Sequence, residues 1–182
     1  MTNISDFTNY RQLLQRVDDK FSGVASKYPR SFNCKLGCYS CCKSGLTVTN
    51  VEAKHIRAWI DGLPSDHQKE VLGGNKMSSQ NGVGFCEFLS AEGRCTVYPV
   101  RPVVCRSHGT PLLVSHGDSQ PLEPDVCPLN FKDTPLSTLE PTDWIRLDTL
   151  NTILAAVDIN YDPEQAGKRV PLTPGSILGQ ST

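Results

Sequence analysis

Apolar residues recur at helical spacing in three long segments of this chain. Over 6–28 and again over 142–157, apolar or aromatic residues stand three or four positions apart with polar residues between them, which predicts amphipathic helices. A third helix is predicted over 50–60, where Thr49 followed by Glu52 forms a capping box at its start. The hydrophobic pattern therefore predicts three main helices.

Shorter patterns add small elements between these helices. A short helix is predicted over 65–72, followed by a Gly-, Asn- and Ser-rich loop over 73–84. Over 85–98, two apolar segments flank a four-residue turn with a late glycine, which predicts a β-hairpin, and 112–115 is a further candidate strand. The predicted fold class is α+β and mainly helical, with three main helices and one small β-hairpin packed around a cysteine-ligated metal site.

Composition and charge narrow the class of protein. A chain of 182 residues with 38% apolar content is long enough for one domain, which we place at 1–162, with an irregular C-terminal tail over 163–182. The first residues carry no basic and apolar signal pattern, and no apolar run approaches 18 residues, so we expect a cytoplasmic protein without a membrane partner. With 18 basic and 19 acidic residues in mixed order, no nucleic-acid partner is expected.

The segment 34–42 carries four cysteines in nine residues, in the sequence CKLGCYSCC. Wound as a helix throughout, it would place all four sulfur atoms within an arc of roughly 100°. The alternative is a run that begins as a loop and becomes helical only around Gly37. Thiols on one face indicate a ligand array, because cysteine normally enters cores singly. The ends of such a run lie roughly 12 Å apart, whereas zinc–sulfur bonds measure about 2.3 Å, so other cysteines must complete any metal site.

Four later cysteines are available for that purpose, and the predicted hairpin would hold two of them, Cys86 and Cys95, close together. In a reducing compartment, clustered cysteines more often bind metal than form disulfides. A disulfide framework and scattered core thiols are the alternatives. We therefore predict eight metal ligands: Cys34, Cys38, Cys41, Cys42, Cys86, Cys95, Cys105 and Cys127.

Two arginines lie beside one of these cysteines. Pro102 in the first turn of a short helix would place Arg101 just before that turn, and Cys105 with Arg106 at its end. Positive charge there would offset the negative charge of thiolates around a metal, so both arginines are predicted to be cofactor-binding, with solvated surface arginine as the alternative. His108 is the best non-cysteine ligand candidate, although the sulfur atoms suffice without it.

These residues resemble the cysteine-cluster proteins grouped as a zinc- or iron-chelating domain, the YkgJ-like family. The resemblance spans about 31–130 and rests on four parts of the chain: the CxxxCxxCC run at 34–42, Cys86 with Cys95, the YPVRPVVCR element at 98–106, and Cys127. That family is similar to the amino-terminal part of bacterial flagellin lysine methylases, which implies that an iron–sulfur cluster can occupy such cysteines. The resemblance implies metal binding and names no reaction.

Two hypotheses of function follow. In the first, the cysteines hold an iron–sulfur cluster with a redox or modification-supporting role, since all-thiolate ligation is normal for such clusters. In the second, they form structural zinc sites in a module that binds another protein. Thiols concentrated on one short segment favour the first over the paired knuckles of zinc ribbons. No hydrolase triad, phosphate loop or dinucleotide fingerprint is visible, so the sequence leaves open whether the protein is an enzyme.

Overall fold

The fold is described here from a computed structural model, which covers residues 6–35, 37–73, 84–117 and 120–179. The described part of the chain contains six α-helices: α1 (Thr8–Lys27), α2 (Asn50–Asp61), α3 (Ser65–Leu72), α4 (Val103–Ser107), α5 (Leu147–Tyr161) and α6 (Pro174–Leu178). It also contains five short strands: β1 (Thr47–Val48), β2 (Leu112–Val114), β3 (Glu123–Asp125), β4 (Ile145–Arg146) and β5 (Val170–Pro171). None of these helices is both long and apolar enough to cross a bilayer.

The strands form two small sheets that connect distant parts of the chain. In one, β1 pairs antiparallel with β5, so that Thr47 lies opposite Pro171. In the other, β2 is central, antiparallel to β3 and parallel to β4. The first sheet therefore fastens the C-terminal segment to residues 47–48, and the second fastens residues 123–125 and 145–146 to the strand at 112–114.

Two apolar clusters form most of the core. The first joins the inner faces of α1 and α5 with Val51 of α2 and Val103 of α4. The second joins the opposite side of α2 to Phe88, Val97 and the C-terminal segment. Three cysteines pack against the edge of this second cluster: Cys86, Cys95 and Cys105. The core thus provides a rigid base for three of the eight candidate ligands.

A buried carboxylate on α5 fixes the start of α2. Asp158 is 1% exposed, and its Oδ1 accepts a hydrogen bond of 2.8 Å from the Val51 amide, one of the first-turn donors that lack a partner within the helix. Its Oδ2 accepts 3.0 Å from the Gly167 amide. A single side chain therefore connects α2, α5 and the segment that leads to β5.

The predicted α+β, mainly helical class is confirmed, and the predicted helices are present with small shifts of their ends. The third main helix begins at Leu147 and not near residue 142. The reason is local: Pro141–Asp143 forms a 3-10 turn, and the next residues extend to pair with β2 before the helix begins. The start of α2 is as predicted, since the Thr49 amide donates to the Glu52 carboxylate at 2.8 Å.

Three local expectations differ from the structure. The predicted irregular tail contributes β5 and α6, and it buries Leu172 and Ile177 in the core. The predicted hairpin is reduced to one isolated bridge between Leu89 and Cys95, because the chain turns into a 3-10 helix at Tyr98. The cysteine run is not helical. Most of the predicted loop at 73–84 lies outside the described residues, which resume at Gly84.

Candidate metal centre

The cysteine run at 34–42 forms a series of turns. Gly37 adopts φ +87°, a left-handed conformation that glycine tolerates and that interrupts a right-handed helix. Around it the Cys38 amide donates to the Lys35 carbonyl at 3.0 Å, and the Cys42 amide donates to the Tyr39 carbonyl at 2.9 Å. The four thiols therefore do not share a helix face, and the predicted array geometry was wrong.

Backbone pairing with 84–86 holds the second half of the run in place. The Cys86 amide donates to the Cys42 carbonyl at 3.0 Å, and the Ser44 amide donates to the Gly84 carbonyl at 3.0 Å. Any side chain on Gly84 would contact the Ser44 hydroxyl, since an added Cβ would lie 2.6 Å from that oxygen. The adjacent cysteines are thereby brought beside the later ones.

Six of the eight thiols line one cavity of about 410 Å³. They come from three separate parts of the chain: Cys38, Cys41 and Cys42 from the first run, Cys86 and Cys95 from the middle loop, and Cys105 from α4. Leu46, Leu89 and Val97 are among the apolar side chains that complete the wall. The predicted convergence of the run with later cysteines is therefore present for these six.

The first turn of α4 positions Cys105. Pro102 precedes the helix, and its carbonyl accepts from the Cys105 amide at 3.0 Å. The Val103 amide, which has no partner within the helix, donates to Glu52 Oε1 at 2.9 Å. Glu52 Oε2 accepts from the amide and the hydroxyl of Thr49, so one buried carboxylate joins the first turns of α2 and α4.

Burial controls the acidity of the core-side thiols. Loss of solvation raises the pKa of Cys95 to about 11 and that of Cys105 to about 12, and it raises the pKa of Cys86 in the same direction. These thiols hold their protons at neutral pH in the metal-free protein. A soft metal ion that binds them must displace those protons, which makes its affinity pH-dependent.

The adjacent pair behaves differently. The thiol of Cys42 hydrogen bonds to Cys41, which lowers the pKa of Cys41 to about 6 and raises that of Cys42. Electrostatic interactions with His108 and Arg101 lower the pKa of Cys41 further. Within this pair, Cys41 therefore forms the thiolate more readily than Cys42.

The two predicted arginines have different surroundings. Arg101 lines the cavity, and its guanidinium carbon lies 3.8 Å from the centre of the Tyr98 ring, a cation–π contact. Arg106 does not line the cavity. Its guanidinium donates to the Arg101 carbonyl at 2.7 Å, to the Pro99 carbonyl at 2.6 Å, and to Asp18 on α1. Arg106 therefore fixes the backbone that carries Arg101.

Cys34 and Cys127 lie to one side of the six. The Cys34 sulfur accepts a hydrogen bond of 3.4 Å from Asn130 Nδ2, which also donates to the Gly109 carbonyl at 2.8 Å. Burial raises the pKa of Cys34, and the nearby Cys127 adds to this rise. Gly109 has φ +95°, and a Cβ there would lie 2.6 Å from the Cys34 sulfur. No local pattern in the sequence indicates that Asn130 and Gly109 support this thiol.

Glu52 was also missed as a supporting residue. Its capping pattern was visible, but its contact with α4 spans 51 residues along the chain and has no local signal. Within the described residues, which include all eight cysteines, no disulfide is present, and no three Cys, His, Asp or Glu side chains converge closely enough to hold one metal ion. Six of the donor side chains around the cavity are nevertheless thiols, the ligands that soft metals and iron–sulfur clusters require, and the predicted candidate His108 also lines the cavity.

Comparison with known proteins supplies the family. Searches of curated proteins and of solved structures gave no match to this chain. Residues 33–128, more than half of the chain, match the CxxCxxCC family, described as a putative zinc- or iron-chelating domain. The match covers all eight cysteines, and it supports the binding of a metal by them. The chain belongs to this family of cysteine-rich, zinc- or iron-chelating domains.

Proposed function

We propose that the six-thiol cavity holds an iron–sulfur cluster and that the protein has a redox or modification-supporting role. The observation that carries the proposal is the arrangement of six sulfur donors around a single cavity of about 410 Å³. A sphere with the radius of a zinc–sulfur bond, ~2.3 Å, encloses about 50 Å³. The cavity is therefore larger than one tetrahedral ion needs, which leaves room for a polynuclear group.

The proposal gives each predicted residue a role. Four of the six cavity-lining thiols ligate the cluster, and where both adjacent cysteines ligate, Cys41 and Cys42 serve different metal atoms. Cys34 and Cys127 lie beside the cavity and are proposed as ligands of a second metal position. Four thiolates around a four-iron cluster leave the site formally dianionic, and Arg101 lines the cavity to offset that charge. Arg106 contributes indirectly, through its bonds to the Pro99 and Arg101 carbonyls.

The protein residues control how such a group behaves. A bound iron–sulfur cluster supplies one-electron chemistry, and its potential depends on nearby charge, hydrogen bonds and solvent exposure. Here Leu46, Leu89 and Val97 reduce solvent access on the core side. Tyr98, with 52% of its surface exposed, and Arg101 lie at the cavity wall, where an electron or substrate partner would approach.

Metal analysis tests the proposal directly. We expect anaerobically purified protein to be brown, with broad visible absorption and with iron and acid-labile sulfide in equal amounts. Colourless protein that contains stoichiometric zinc and no iron would overturn the iron–sulfur assignment in favour of a structural zinc module for protein interaction.

Substitution of single thiols tests the ligand set. Cys41→Ser and Cys105→Ser should each lose metal and melt at lower temperature, because ligation and folding are coupled. Ser26→Ala, at an exposed position of α1 away from the cavity, is the control and should retain both properties. Full metal content and unchanged melting in both serine variants would show that these two thiols are not ligands.

A further inference from the structure

A second cavity, of about 890 Å³, lies on the other side of Cys38. We call it the basic cavity, and it is lined by ten residues: Arg30, Ser31, Asn33, Lys35, Gly37, Cys38, Leu129, Lys132, Asp133 and Thr134. Lys35, Gly37 and Cys38 also line the six-thiol cavity, so the two cavities share a wall. A molecule in the basic cavity would therefore lie beside the candidate metal centre.

The walls of the basic cavity are joined by specific bonds. The Phe131 amide donates to the Ser31 carbonyl at 2.8 Å, and the hydroxyls of Ser31 and Thr134 hydrogen bond at 2.6 Å. The Asn33 amide donates to the Asn130 side chain at 2.8 Å. Segments about 100 residues apart in the chain are thus fixed to one another, and the cavity is part of the folded framework.

A strained residue shapes the turn that carries one wall. Phe131 has φ +55°, and it is the one non-glycine residue with positive φ among those described. Its ring is buried against Tyr28 and Phe32, which holds the backbone in this costly conformation. The turn directs the next three residues, Lys132, Asp133 and Thr134, to the cavity.

The charges in the basic cavity are unbalanced. Arg30, Lys35 and Lys132 face a single carboxylate, Asp133. No ion pair or side-chain hydrogen bond satisfies any of the three cations within the described ranges, whereas Lys27, in the same region, bonds to two carboxylates. Because the chain as a whole has a formal net charge of −1, this excess is local.

We propose that the basic cavity binds a small anionic molecule through a carboxylate or phosphate group. Arginine and lysine form their strongest hydrogen bonds with such oxyanions, and the neighbouring hydroxyls add neutral donors. The cavity volume lies in the range of small-molecule sites. A polymeric nucleic acid is not favoured, because basic and acidic residues are mixed along the sequence and no basic block is present.

The proposal extends the proposed function by giving the chemical class of a molecule held next to the metal centre. It does not depend on whether the metal is iron or zinc, because the three cations and the hydroxyls form the site. Cys38 in the shared wall brings the bound anion near the centre, as a substrate of a modification reaction would need.

Isothermal titration calorimetry of the full, metal-loaded chain tests the proposal. Inorganic phosphate and succinate are titrated separately, and metal content is measured before and after. We expect saturable one-to-one binding of at least one of the two anions. Phosphate alone would identify a phosphoryl ligand, and succinate alone a carboxylate ligand. Absence of saturable binding of both anions would overturn the proposal.

Paired variants show where the anion binds. Arg30→Gln combined with Lys132→Gln should weaken binding roughly tenfold, since each substitution removes one contact from a solvent-exposed cation and each such contact contributes little. The matched control combines Arg16→Gln with Lys69→Gln, which removes the same charge from exposed helix positions elsewhere. Equal weakening by both pairs would assign the effect to net charge and refute the site. The metal content of the Arg30→Gln, Lys132→Gln variant is measured as well. If it is retained, weaker anion binding is not due to loss of the metal, and the result is independent of the metal proposal.

Discussion

Replacement of Glu52 by glutamine tests whether a buried carboxylate supports the metal centre. Glu52 is 2% exposed and accepts three hydrogen bonds, two from Thr49 and one from the Val103 amide. Glutamine keeps the shape of the side chain but replaces one acceptor oxygen with an NH₂ donor. Either the start of α2 or the start of α4 then faces a donor where it needs an acceptor.

The expected cost follows from the hydrogen bonds that are lost. A hydrogen bond to a charged group contributes about 1.5–3 kcal/mol net, and a buried N–H without a partner costs about 1–3 kcal/mol. These contributions overlap, so we expect the free energy of unfolding to fall by about 2–3 kcal/mol. For a domain of this size, 1 kcal/mol corresponds to roughly 2–4 °C in melting temperature, which gives a decrease of roughly 4–12 °C.

The assay is urea unfolding with metal analysis of the same samples. Cys105 lies in the short helix that Glu52 fixes, so metal content should fall together with stability. Glu70→Gln, on the exposed surface of α3, is the matched control and should change stability by less than about 0.5 kcal/mol. A Glu52→Gln protein that unfolds at the wild-type urea concentration would refute the reasoning.

Three further substitutions test neighbouring parts of the structure. Gly109→Ala should destabilise the protein by about 2–3 kcal/mol in urea unfolding, because Gly109 has φ +95° and the new Cβ would lie 2.6 Å from the Cys34 sulfur. Gly23→Ala, in open space within α1, is the control and should be neutral or stabilising. Burial lowers the pKa of His55 to about 4, so the unfolded chain binds more protons than the folded protein between pH 4 and about 6.5. The free energy of unfolding should therefore fall as the pH drops through that range. His55→Phe should flatten this fall, and an unchanged pH profile would contradict the assignment. Arg106→Gln should lower the melting temperature and the metal content more than Arg57→Gln does, since the Arg106 side chain is 9% exposed and that of Arg57 is 42% exposed. Equal effects of the two substitutions would contradict a positioning role for Arg106.

Local signals in the sequence predicted most of the helical framework. The three- and four-residue spacing gave α1 and α2 within a residue or two of their ends, and the Thr49 and Glu52 pattern marked the start of α2. The short helix that carries Cys105 was predicted with Pro102 in its first turn, whereas Pro102 stands just before the helix, which begins at Val103. These features depend on neighbours in the chain, which a sequence displays.

Features that depend on distant partners were not predictable in this way. The run at 34–42 was expected to become helical, but Gly37 takes a left-handed conformation and the run is fixed by pairing with 84–86. The C-terminal segment has no internal periodicity, yet β5 finds its partner in β1, more than 100 residues earlier. A two-residue strand has too short a pattern to be recognised before its partner is known.

The two halves of the six-thiol cavity differ in how firmly the fold holds them. Cys86, Cys95 and Cys105 pack against the core, so their positions are set by folding. The thiols of the first run lie on turns held by a few backbone hydrogen bonds, and their ordering depends more on what they bind. Burial raises the pKa of Cys95 and Cys105, and the hydrogen bond with Cys41 raises that of Cys42, so thiols from both halves must lose protons when metal binds. Metal affinity should therefore rise with pH through Cys42 as well as through the core-side cysteines.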